Sequence, residues 1–93
     1  MDEFIARQCA QIQFTISDYR QGAVSLNNLI TKIEGLARTL SDEFWSEDIF
    51  PIVVDLERIN SELIDKQRKM SQIERGQIEK LLVDVEGKIN KIK

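Results

Sequence analysis

Histidine is absent from this 93-residue chain. With it go the commonest general base, the commonest metal ligand and the usual activator of a nucleophilic serine or cysteine. The one cysteine, Cys9, can form no internal disulfide, so nothing calls for an oxidising compartment. It falls on an apolar helix face with nothing nearby in sequence to favour a thiolate, which reads as a small buried hydrophobe. Four glycines and one proline are too few turn formers for a many-stranded β fold, and 42% hydrophobic residues are too many for disorder. No apolar run reaches the roughly 18 residues that a membrane span requires. The acidic start MDEFIARQ is unlike a secretory signal, and no glycine-rich phosphate loop occurs. The expectation is a single-domain, non-enzymatic, cytoplasmic protein with no cofactor, metal or membrane partner.

Charge is present but unevenly spread. The net charge of -3 argues against direct nucleic-acid binding, whose phosphate contacts need surplus Lys and Arg. No positive residue occurs between Arg38 and Arg58, and that gap holds six carboxylates interleaved with Phe44, Trp45, Phe50 and Pro51. From Lys66 onward eight basic residues outnumber four acidic ones, so the molecule is expected to be electrically polar. The acids Asp42, Glu43, Glu47 and Asp48 are not spaced as a calcium loop, and a di-iron site would need Glu-x-x-His. Two readings remain for 41–57. It is either a solvated, helix-capping corner or a docking edge, where an aromatic ring anchors and carboxylates steer a basic partner. Trp45 is correspondingly a lid on the core or an exposed anchor.

Apolar periodicity predicts helices at about 2–20, 25–40, 49–68 and 71–92, with a short helical turn near 42–47. In the first, Ile5, Cys9, Ile12, Ile16 and Tyr19 stack on one face, Asp2 and Glu3 occupy the first turn, and Gly22 stops the helix. Ser25 opens the second, whose broad apolar face runs from Leu26 to Leu40. Pro51 inside a continuous helix would clash with a preceding carbonyl, so a break is expected before it, with cap side chains from 46–48. Ser71 and Glu74 form a capping box for the last helix. Four such helices bury their stripes as an antiparallel four-helix bundle, up-down-up-down. A continuous rod from about 51 to 92 is the alternative, and it would require a partner chain. The connection at 66–71 is the one candidate helix-turn-helix, and the helix after it, SQIERGQIEK, is not basic enough for DNA.

The run from 22 to 60 resembles the small all-helical immunity proteins encoded beside bacterial toxins of the bacteriocin and contact-dependent growth inhibition kind. The likeness lies in Gly22, the Ser25-Leu26 helix start, Ile33-Glu34, the Asp-x-x-Trp of Asp42 to Trp45, and Leu56-Glu57. It implies a non-enzymatic toxin inhibitor that binds a cognate toxin domain, often a nuclease, with Asp42, Glu43, Trp45, Glu47 and Asp48 carried over as contacts. Phe50 and Asp55 complete the expected partner-binding set from the charge gap itself. Carboxylates would stand where phosphates lie, with Trp45 or Phe50 filling a pocket of a basic protein partner. A monomer is expected over a homodimer. The competing class is a helical adaptor or homodimeric structural bundle with no toxin partner, associating along its last two helices.

Overall fold

The computed structural model describes residues 3–92; Asp2, expected in the first helical turn, and the terminal Lys93 lie outside the described residues. Among these there are four α-helices and no strand: α1 (Glu3–Arg20), α2 (Leu26–Arg38), α3 (Phe50–Lys66) and α4 (Gln72–Ile92). A π-helical segment, Phe44–Ile49, runs directly into α3. The helices close on a shared core in which Ile12 and Ile16 of α1, Leu29 and Ile33 of α2, Leu56 of α3, and Leu82 and Val85 of α4 are fully buried. Each such side chain contributes about 1.5–3 kcal/mol on leaving water. Exposed ion pairs contribute about 0–1 kcal/mol each. Apolar burial therefore holds the fold, and the surface charges adjust it.

The ends follow local chemistry. Gly22, at φ 81°, lets α1 close with the amides of Gly22 and Ala23 on the carbonyls of Tyr19 and Asp18, the paired bonds of a Schellman stop. Ser25 accepts from the Asn28 amide at 3.1 Å and caps α2. Ser71 and Glu74 form the reciprocal box: the Glu74 amide donates to the Ser71 hydroxyl at 3.1 Å, and the Ser71 amide donates to the Glu74 carboxylate at 2.9 Å.

One expectation changes, and one alternative falls away. The break before Pro51 is absent. Helical backbone runs from 42 to 66, because the π turn bonds the Phe50 amide to the Trp45 carbonyl, five residues back. A π turn widens the helix and leaves a carbonyl without its usual donor, so a residue with no N–H and a bulky ring fits immediately after it. No side chain from 46–48 caps α3. The rod across 51–92 is also absent. Gln67 turns left-handed at φ 48°, and the Gln67 and Arg68 amides close on Ile64 and Leu63, so α3 ends where a glycine would ordinarily be used. The stripe that would have demanded a second chain is folded back onto the core.

Contacts tie α1 to α4. Gln13 donates to Glu86, Arg20 reaches Glu86 at 2.8 Å and Glu79 at 2.6 Å, and the Tyr19 hydroxyl meets Met70 just before α4. Rising numbers on α1 face falling numbers on α4. Hydrogen bonds from Arg20 and Gln13 hold the Glu86 carboxyl below its ordinary range against some desolvation.

The bidentate bonds of Arg68 to Glu74, both 2.7 Å, together with the Ser71 amide, pull the Glu74 carboxyl from an ordinary 4.5 to about 2. A carboxyl with a depressed folded value stabilises the fold above its unfolded pKa and loses that contribution as pH falls through the folded one. Urea unfolding of wild type and Arg68→Ala should therefore differ by a constant amount near neutrality, and the difference should shrink from about pH 4.5 down to about pH 2. A difference that does not change with pH would refute this role for the pair.

Candidate functional site

The acidic segment is positioned by Ser41. Its hydroxyl accepts from the Phe44 amide at 2.9 Å and its carbonyl from the Trp45 amide at 3.1 Å, so the helix start expected at Ser41 is present and capped. The π turn then sorts the aromatics. Phe44 and Ile49 are buried in the core, whereas Phe50 is 47% exposed. Trp45 is half-buried and packs against the edge of the core, between the two settings that its sequence context offered. The Trp45 and Phe50 rings lie 5.6 Å apart and tilted by 57°, a favourable aromatic geometry.

Arg38, the last residue of α2, places its guanidinium 4.8 Å from the Trp45 ring and also pairs with Glu34 at 3.3 Å. The stretch that lacks cations in sequence therefore has one over its tryptophan in space. Sequence reasoning missed Arg38 because the charge gap was drawn by using Arg38 as its border. The signal was that same border position, at the end of a helix leading into the aromatic corner.

The expected partner-binding residues divide by direction. Asp42, Glu43 and Glu47 are exposed, and none of them enters an ion pair among the described residues. Trp45 lies toward α2 and Phe50 toward solvent. Asp48 is half-buried on the α4 side with Lys88 at 3.7 Å, and Asp55 pairs with Arg58 at 3.1 Å. Asp55 also lines a shallow groove with Ile59 and Glu62 of α3 and Gln77 and Leu81 of α4. The acidic segment and the basic last helix thus meet at Asp48 and Lys88, which cancels part of the charge separation seen in sequence.

Val54 is exposed as well and follows Phe50 by one helical turn, so an apolar strip of Trp45, Phe50 and Val54 runs along the outer side of this helix. Among the described residues no cluster of three acids or thiols is placed to hold a metal ion, and no helix is long and apolar enough to cross a membrane. Cys9 is fully buried in the core. Comparison with protein-family models, with characterised proteins and with solved structures gives no match.

A guanidinium over an indole at a partly exposed site contributes about 0.5–1 kcal/mol. Arg38→Ala should lower stability by about that amount and make Trp45 fluorescence more readily quenched by acrylamide. Arg38→Lys should restore part of both. Quenching identical in all three proteins would show that Arg38 does not cover the ring.

Proposed function

We propose that the protein is a non-enzymatic, cytoplasmic binding module of the immunity type, which neutralises a basic toxin domain, a nuclease, by docking the edge formed by residues 42–54. The observation that carries this reading is the conjunction at one helical corner of an exposed Phe50 braced on Trp45 with Asp42, Glu43 and Glu47, all exposed and outside any ion pair among the described residues. An aromatic that is already held in place loses little freedom on binding, and carboxylates without internal partners are available to another molecule's cations. Nuclease clefts are basic because they hold phosphates. Three carboxylates along one helix edge supply the complementary charge, and Phe50 with Val54 supplies the desolvated centre.

Asp48 and Asp55 have a different part in this reading. Their pairing with Lys88 and Arg58 makes them the margin of the surface, and the Asp48–Lys88 pair also joins this segment to α4. We further infer that the four helices form an antiparallel, up-down-up-down bundle, a rigid frame on which such an edge is presented without reorganisation. The opposed numbering of the α1 and α4 contacts and the short links between consecutive helices support it.

The test is a neighbouring reading frame that encodes a basic toxin nuclease domain, and binding of this chain to that domain across a salt series; a neighbourhood without one would count against the reading. Glu43→Lys combined with Glu47→Lys should slow association and flatten its dependence on salt, with the helical circular dichroism unchanged. Phe50→Ala should raise the dissociation rate and weaken binding by about tenfold or more. Unaltered affinity and salt slope in both variants would reject the edge as the binding surface.

A further inference from the structure

We propose that the outer face of α1 is a self-association surface, on which a second copy of this chain packs antiparallel about a two-fold axis level with residue 12. The argument begins with Phe14, which is 65% exposed. A single exposed aromatic is ordinary; Phe14 differs in lying between small neighbours, with charges of opposite sign on either side that form no ion pair among the described residues. Glu3, Arg7, Ala10, Phe14, Ser17 and Gln21 follow one another at spacings of four, three, four, three and four. These positions form one outward row, or seam, of the helix, apolar at Ala10 and Phe14 and polar toward both ends. The seam points away from the core, because the residues that α1 buries, Cys9, Ile12, Thr15 and Ile16, fall between its members.

The seam has the shape and the charge of a self-complementary surface. Phe14 is its one large side chain, and it is flanked by the small Ala10 and Ser17; with Gln13 these line a shallow depression. An antiparallel second copy centred at residue 12 brings its Phe14 over Ala10 of the first, and the symmetry repeats the contact. The same placement sets Arg7 beside Ser17 and Asp18 of the other copy. Arg7 and Asp18 are both exposed, and neither has an ion pair among the described residues. Arg7 lies five residues before the centre and Asp18 six after it, so the two-fold brings the Arg7 of each copy within one residue of the Asp18 of the other, and each copy supplies both members of a pair. Arg20, the remaining cation of α1, is already engaged by Glu79 and Glu86 of its own chain and bounds the seam on the α4 side.

One pair of helices of this length buries less than the roughly 1,200 Å² of a standard stable complex, so the dimer is a weak one that forms at high concentration. It leaves the edge at 42–54 uncovered and stands or falls independently of the toxin-binding reading.

Sedimentation equilibrium from about 10 µM to about 1 mM is the direct test. Wild type should shift from monomer toward dimer over that range. Phe14→Glu should weaken association by about tenfold or more, with unchanged helical circular dichroism since the residue is exposed. Arg7→Asp alone should weaken it by about twofold to fivefold, and adding Asp18→Arg should restore it, which a merely structural role for either residue would not do. Wild type that stays monomeric at the highest concentration overturns the proposal and leaves Phe14 to a foreign partner. A dimer indifferent to Phe14→Glu and to the charge exchange overturns it equally, by placing the interface elsewhere.

Discussion

The five-residue closure of the π turn is the constraint on which the rest of this molecule depends. In an α-helix, residues five apart stand about 140° from one another, so an uninterrupted α-helical run would point Phe44 and Ile49 to well-separated sides. Bonding the Phe50 amide to the Trp45 carbonyl brings residues five apart nearly into line. Phe44 and Ile49 are then both buried. The same closure aligns the next pair, Trp45 at the edge of the core and Phe50 facing solvent, in ring contact. It also accommodates Pro51, which has no amide to offer. One local departure from α geometry therefore joins a core layer, an aromatic pair at its edge and an unbroken helix.

Where the sequence was legible, the signals were local. Ser25, Ser71 with Glu74, and Gly22 each satisfy backbone groups within a few residues of themselves, so their pattern can be read without knowing the fold. The buried stripes of α2 and α4 follow the helical period for the same reason. Phe44 to Pro51 could not be read this way. A π turn has no apolar template of its own, and a proline in sequence looks the same whether it follows a break or a widened turn. Gln67 was equally opaque, since a left-handed residue is normally announced by glycine or asparagine. Its neighbour Arg68 leaves α3 to hold Glu74 at the start of α4, a bond between the two flanks of the connection.

At the candidate site the sequence listed the residues and left their grouping unstated. Trp45 and Phe50 are brought together, Asp48 is turned to Lys88, and Asp55 is turned to Arg58. Arg38 joins from a helix that seemed to lie outside the segment. Linear charge counts cannot anticipate this, because a cation at the end of one helix and an anion in the next are separated in sequence and adjacent in space. On α1 the stripe from Ile5 to Tyr19 and the row through Phe14 share one helical period on different faces, and the second row has too few apolar members to be read as a face from sequence. Recognising the outward seam required knowing which face the core had taken.

Backbone nuclear magnetic resonance across 41–66 tests the central claim most directly. The account predicts helical carbon shifts without interruption through Pro51, and an amide proton at Phe50 that exchanges slowly because it is bonded to the Trp45 carbonyl. Extended-chain shifts at 46–50 together with a rapidly exchanging Phe50 amide would mean that the helix breaks before the proline, and the pairing of Trp45 with Phe50 would lose its physical basis.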